Sequence, residues 1–392
     1  MTLVAASGSS ANRSLEVAIE ECARGVRRGL DGADVHIAFV FVTHHHGAGL
    51  RRAGVLLSEA LGGARVAGCT GGWTASDARE LEGSPGVTVL ALSCPGTTVR
   101  VEAFDGDADL VRLDDPTRAG VILFADPFTF TAEPWLVEFS EVYPNVPLVG
   151  GLAGGGQAPG QNILLHDQGS SPSGALAVIL EGDVELRPAV SQGCRPVGAP
   201  LVITRVDRHV ILELKGKPAA KVLVAAMNEL PDDERERFQH GAFIGRAIDA
   251  RLSKFTAEDL LVRNLLGIDP QRNAVVVGDT SLRAGQTVHL MVRDAESAGE
   301  DLEAVMARAA AELGSRARGA LLATCGGRGR NLFEEADHDA SRVSHAFGGT
   351  LPLAGFSANG EIGPVGGEPF LHGFTACVGI FAERQTTNET HG

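Results

Sequence analysis

The 392 residues are 44% hydrophobic and 21% charged, an ordinary balance for a folded protein with enough apolar side chains for two or three domains. The net charge of −15 repels phosphates, which excludes a nucleic-acid surface and disfavours anionic lipid. Apolar runs are strand-sized, well below the ~20 residues of a membrane span. No basic flank precedes an apolar stretch at the N-terminus, and six scattered Cys form no C-x-x-C pair, so a reducing cytoplasm is expected and a zinc ribbon is not.

In chain order, Ser14 caps a helix over 15–28, with apolar residues at Leu15, Ala18, Ile19, Cys22 and Val26 on one face. A strand at 35–42 runs into His44, His45 and His46. A helix at 50–61, a strand into Gly68-Cys-Thr-Gly-Gly72 and a strand at 87–93 follow. The order then returns: strand 121–124, helix 134–143, Pro147-Leu-Val-Gly-Gly151 into a Gly-rich loop, and strand 175–180. Strands 202–206 and 210–214, a helix at 218–230 with Pro218 in its first turn, strands 274–277 and 287–292 and a long helix at 298–313 form a different middle segment. Near the C-terminus the pattern appears again: strand 320–324, helix 338–347, Leu351-Pro-Leu-Ala-Gly355, and strand 374–381.

Pro147-Leu-Val-Gly-Gly, Leu165-His166 and Gly174-Ala-Leu-Ala-Val align with Pro352-Leu-Ala-Gly-Phe, Leu371-His372 and Gly373-Phe-Thr-Ala-Cys-Val. The expectation is a mixed α/β protein of two related lobes, each a β-sheet layered with helices. Both are built on a strand–helix–strand–Gly loop–strand repeat. The polar tail, 384–392, is expected to be disordered.

Five stretches, in one order, resemble the FIST family: Val190-Ser-Gln-Gly-Cys-Arg-Pro-Val-Gly198, Leu214-Lys-Gly-Lys-Pro-Ala-Ala220, Cys325-Gly-Gly-Arg-Gly-Arg330, Ser357-Ala-Asn-Gly-Glu-Ile-Gly-Pro-Val-Gly-Gly367 and Phe370-Leu-His-Gly-Phe-Thr375. The resemblance divides the chain into an N-terminal helical segment (1–33), a FIST N domain (34–215) and a FIST C domain (216–372). It implies an intracellular sensory role in signal transduction, with a bound small ligand such as an amino acid or other small carboxylate. With no output segment attached, a separate signalling output protein is the implied partner. Some bacterial FIST-type proteins bind haem and sense nitric oxide, which leaves a haem sensor as one alternative; a protein-interaction scaffold is another.

The candidate ligand residues lie in Gly-rich turns. Cys325, Gly326, Gly327, Arg328, Gly329 and Arg330 follow a strand, where glycines turn the backbone sharply and align N–H groups as an anion nest beside two Arg forks. No Gly-Lys-Ser/Thr follows, so this is not a P-loop. Asn359, Gly360 and Glu361 sit at the matching point of the next unit, and the Glu361 carboxyl could pair an amino group or one of those Arg. Thr70, Gly71, Gly154 and Gly155 belong to the other Gly loops, placed where open α/β sheets bind ligands. Arg195 is a further candidate ligand residue, and also a candidate bridge between lobes. Each of these also has a purely structural reading. Cys325 beside Arg suggests a thiol nucleophile as a further alternative, but no base and orienting group can be assembled around it, so no catalytic residue is assigned. Consecutive histidines cannot all face one metal, and neither a metal nor a cofactor is expected. His166 and His372, equivalent in the alignment, are read as structural. Asp337-His338-Asp339 reads as a helix cap with solvated charges.

Overall fold

The computed structural model describes residues 2–105, 110–248, 255, 259–279 and 281–385. The expected disordered tail therefore lies, from residue 386 on, outside the described residues. The described residues form two compact units: those within 1–190, 302–371 and 375–385, and those within 191–301 and 372–374.

The first unit repeats one motif three times. The first copy is β1 (Val4–Ser10), α1 (Leu15–Leu30), β2 (Ile37–Thr43), α2 (Ala53–Ala60), β3 (Arg65–Gly71), the hairpin β4 (Thr74–Ser76) and β5 (Arg79–Leu81), and β6 (Val87–Ser93). The second is β7 (Thr97–Phe104), β8 (Ala119–Ala125), α3 (Ala132–Val142), β9 (Leu148–Leu152), the hairpin β10 (Leu164–His166) and β11 (Gly169–Ser171), and β12 (Ala175–Gly182). The third opens with β13 (Val184–Ser191). Between it and the rest of that copy come the elements of the second unit: β14 (Cys194–Asp207), β15 (Val210–Leu214), β16 (Lys217–Pro218), α4 (Ala219–Glu229), α5 (Asp232–His240), β17 (Phe243–Ala247), β18 (Leu260–Asp269), β19 (Ala274–Val277) and β20 (Thr287–Arg293). Then follow α6 (Ala295–Leu313), β21 (Ala317–Cys325), α7 (His338–Ala346), β22 (Leu353–Ala358), the hairpin β23 (Gly360–Val365) and β24 (Glu368–His372), and β25 (Ala376–Glu383).

The three sheets run β1-β6-β2-β3-β10-β11, β7-β12-β8-β9-β23-β24 and β13-β25-β21-β22-β4-β5. Each copy thus keeps four strands and gives its hairpin to another copy's sheet, cyclically. Each sheet has one parallel pair, β2–β3, β8–β9 or β21–β22, joined by a helical crossover. Within these pairs Val40, Leu123 and Leu322 face Gly68, Gly150 and Gly355. A Cβ at those glycines would fall 1.8, 1.9 and 2.5 Å from the carbonyl oxygen of the facing residue. That approach admits only glycine, which explains why the motif of two apolar residues followed by Gly recurs three times.

The inner faces of the three sheets merge into one core around Phe39, Phe41, Phe124, Phe356 and Phe381, with Phe41 stacked on Phe356 at 4.7 Å and edge-on to Phe124 at 5.6 Å. Each such ring buried contributes about 1.5–3 kcal/mol. The outer faces are covered by α1 and α2, by α3, and by α7 with residues 302–313 of α6. Helix α1 buries the face read from the sequence, and Ser14 Oγ accepts the Val17 N–H at its start.

In the second unit the strands pair β14-β20-β17-β18-β19-β15, and β15 pairs back to β14, closing a six-stranded antiparallel ring to which β16 adds. Its apolar core includes Ile203, Ile211, Ile244, Val275 and Leu290 with Leu223 of α4 and Phe238 of α5.

The mixed α/β class and the repeat are as read from the sequence, and the structure refines both. All three copies lie in one unit, and the middle segment has another topology. The segment 1–33 is not only helical, because β1 pairs with β6. The alignment of His166 with His372 does not hold: His166 ends the first hairpin strand of its copy and His372 the second. The alignment of the Pro147 and Pro352 stretches does, since each proline carbonyl accepts the equivalent N–H, of Val121 and Ala320, at 2.9 Å.

Candidate functional site

The parallel strands β3, β9 and β22 end in turns that meet in the first unit. Gly154 N–H donates to Thr70 O at 2.9 Å, Asn359 N–H to Leu152 O at 3.0 Å and Gly72 N–H to Ser357 O at 3.4 Å. Thr70, Leu152 and Ser357 occupy equivalent positions, so these bonds form a cyclic ring linking the three copies. Thr70 Oγ1 accepts the Ile163 N–H, and His44, which the sequence reading set aside, places Nε2 3.2 Å from Gly154 O. Gly72, Gly155 and Asn359 are exposed, while Thr70, Gly71, Gly154 and Gly360 are buried.

The Cys325–Arg330 turn joins this end through backbone. Cys325 N–H donates to Thr375 O at 3.0 Å and Gly326 N–H to Ala358 O at 3.1 Å. The Ser357 hydroxyl sits between the turns: a Cβ at Gly72 would fall 2.8 Å from its Oγ and one at Gly326 3.6 Å. Gly327 N–H points to Cys325 Sγ at 3.4 Å. Of the six cysteines Cys325 alone is not buried. Sequence reasoning therefore brings together turns that do meet.

The two arginines, however, do not form an open anion fork. Arg328 is fully buried and its guanidinium grips Asp339 with two bonds, Nε–Oδ2 at 2.8 Å and Nη2–Oδ1 at 2.9 Å. Asp339 also accepts from Thr324 Oγ1 at 2.7 Å and meets His338 Nδ1 at 2.8 Å. Burial alone would raise the Asp339 pKa, but Arg328 and these hydrogen bonds hold it well below the usual carboxylate range. Burial lowers the His338 pKa despite Asp339, and the ring stacks on Phe333. Arg330 is exposed; its N–H donates to Glu82, whose carboxylate occupies the space a Cβ at Gly329 would need, and at φ 55° a side chain there would be strained as well.

Asp337-His338-Asp339 is likewise not a solvated cap. Asp337 makes no side-chain cap bond to α7; instead Glu80 Oε1, from the β4–β5 hairpin, accepts the N–H groups of Asp339 and Ala340, both at 3.0 Å. Burial, aided by Asp339, pushes the Glu80 pKa up to about 8. Sequence distance hid these partners: Glu80 lies more than two hundred positions from the helix it caps.

Glu361 is fully buried in β23, facing Gly151 of β9. Its Oε2 accepts Thr375 Oγ1–H at 2.8 Å and Thr375 N–H at 3.2 Å; Oε1 has no hydrogen-bond partner. Burial raises its pKa to about 8, against the opposing Thr375 bonds and Arg328. Below that pH the carboxyl is neutral.

Arg195 belongs to the second unit, where it pairs with Glu234 at 2.7 Å and Asp294 at 3.2 Å; Cys194 is buried there. Those carboxylates account for Arg195 within its own unit, in place of the lobe bridge expected from sequence. Cavities of about 690, 680 and 570 Å³ in the first unit are lined, respectively, by residues such as Phe347 and Leu351, Cys94 and Arg384, and Pro144 and Pro188; none of the candidate residues lines them. Among the described residues no group of three or more His, Cys, Asp and Glu is placed to hold a metal, and no helix is long and apolar enough to cross a membrane.

Residues 36–217 match the family model of the FIST N domain and residues 219–364 that of the FIST C domain. An uncharacterized protein of Mycobacterium bovis is 38% identical over 323 residues, covering 81% of this chain and 83% of the relative. An uncharacterized protein of Mycobacterium tuberculosis is 38% identical over 325 residues, covering 82% and 84%.

Proposed function

Since the chain belongs to the FIST family, whose domains are associated with sensory signal transduction, we propose that it is a cytoplasmic sensor that binds a small ligand at the meeting point of its Gly turns and passes the signal to a separate output protein. The observation that supports this most is the ring of backbone bonds from Gly72, Gly154 and Asn359, which gathers turns far apart in sequence beside the half-exposed Cys325–Gly327 turn. A small carboxylate such as an amino acid remains the proposed ligand class, recognised by the exposed Asn359 side-chain amide and the Ser357 hydroxyl and not by an Arg328 fork. Arg328 and Asp339 instead stiffen the turn. We assign no enzymatic activity and no resident cofactor. The test is a thermal-shift screen of the purified protein against metabolites, because a ligand bound only by the native state raises Tm. Stabilising compounds whose effect is lost on enlarging Gly326 to Val support the proposal; a screen without any stabilising compound, or hits indifferent to that substitution, contradicts it.

A further inference from the structure

The Glu361 carboxyl is a buried polar group behind these turns with an oxygen that no protein group satisfies. It is joined to the Cys325 turn through Thr375, which donates to Glu361 Oε2 and whose carbonyl accepts the Cys325 N–H. The carboxyl is fully buried and Oε1 is unpartnered, an arrangement that is costly while a polar atom stays unsatisfied. Because Oε2 already accepts two hydrogen bonds, the proton of the neutral acid resides on Oε1, which makes this atom a donor.

Two ligand groups could satisfy Oε1 without leaving a net buried charge: an ammonium on ionised Glu361, or an uncharged acceptor on the neutral acid. Burial decides between them. An ammonium paired with ionised Glu361 would place two charges where the carboxyl has no exposed surface, and their attraction offsets that desolvation only with further hydrogen bonds, whereas an uncharged acceptor on the neutral acid places none. A ligand carboxylate would add an unmatched negative charge, since Arg328 is already neutralised by Asp339. The adjacent Cys377 thiol is held protonated by burial and adds no charge.

We propose that Glu361 is a hydrogen-bond donor to the ligand and that it takes an uncharged carbonyl oxygen, as of an amide, rather than an ammonium or a carboxylate. This rests on the ligand site placed above at the Gly turns; any carboxylate of the same ligand lies at those turns, outside the Glu361 position.

Acetamide, acetate and methylammonium serve as size-matched probes at equal concentration, with Tm and infrared difference spectra as readouts. The expected result is a Tm rise with acetamide in the wild type and in Glu361→Gln, whose amide N–H replaces the acid, and affinity weaker by about tenfold in Glu361→Leu. The carboxylic-acid C=O stretch assigned by subtracting the Glu361→Gln spectrum should shift when acetamide binds; this reading on wild-type protein stands even if the Leu variant does not fold. Stabilisation by methylammonium that Glu361→Gln abolishes, or by acetate alone, overturns the assignment while leaving a ligand site at the turns. No response to any probe, together with a metabolite screen without hits, overturns both.

Discussion

Replacing Arg328 by Ala removes the partner of a carboxylate that has no exposed surface. Asp339 is left with Thr324 Oγ1 and His338 Nδ1, at 2.7 and 2.8 Å, and no cation. Breaking a buried pair in this way costs about 3–5 kcal/mol, more than the pair itself contributes, because an uncompensated charge stays in the core. For a unit of this size that lowers Tm by roughly 6–20 °C. Scanning calorimetry of the variant at neutral pH measures the loss directly. Changing both partners, Arg328→Met with Asp339→Leu, should lose less than Arg328→Ala alone, since no charge remains buried. The same pair has an acid signature. A carboxyl held below its ordinary pKa contributes stability that is present above the unfolded value, about 3.9, and is lost as pH falls below it. Arg328→Ala should therefore flatten the acid limb of stability against pH. An Arg328→Ala protein within about 1 kcal/mol of wild type, with an unchanged acid limb, refutes the reasoning.

Glu361 has the opposite linkage: its pKa is raised to about 8, so its contribution is full below the unfolded value of about 4.3 and is lost as pH rises through 8. Denaturation at pH 5 to 9 should show Glu361→Gln losing less stability than wild type over that interval, with a difference of a few kcal/mol at the alkaline end. Gly68→Ala places a methyl where Val40 O stands and should destroy soluble expression, whereas Gly63→Ala, with open space around the glycine but φ of 88°, should cost only about 1 kcal/mol by urea melts. In native protein a thiol reagent such as 5,5′-dithiobis(2-nitrobenzoate) should titrate one rapid thiol, and Cys325→Ser should remove it, since the other five cysteines are buried. Ser14→Ala should cost about 0.5–2 kcal/mol through the lost α1 cap.

Local signals carried much of the fold. The 3.6-residue period of Leu15, Ala18, Ile19, Cys22 and Val26, with Ser14 before it, locates α1, and the apolar runs at 87–93 and 121–124 mark buried strands. Strands β1 and β7 escape because Ala, Gly and Ser fill the one and half-exposed, alternating polar residues the other. Gly68, Gly150 and Gly355 look from sequence like the start of turns; they are inside strands, held there by the carbonyl each faces. The exchange of hairpins between copies leaves no local mark at all, since it depends on which sheet edge a short strand meets. For the site, composition pointed to turns that the structure brings together but assigned Arg328 the wrong environment. A Gly-rich stretch with two Arg looks solvent-facing until Asp339, on a helix after the turn, is seen to fill the space behind it. Thr375 and Glu80 were invisible for the same reason: their roles come from pairing across sheets, not from neighbours in the chain.

Amide hydrogen exchange with and without a compound found by the screen tests the central claim most directly. Binding at the meeting point of the three copies predicts slowed exchange together at 70–73, 153–156, 325–330 and 358–361. Protection confined to other segments, such as the cavity lined by Leu3, Phe347 and Leu351, would place the ligand elsewhere and contradict the account.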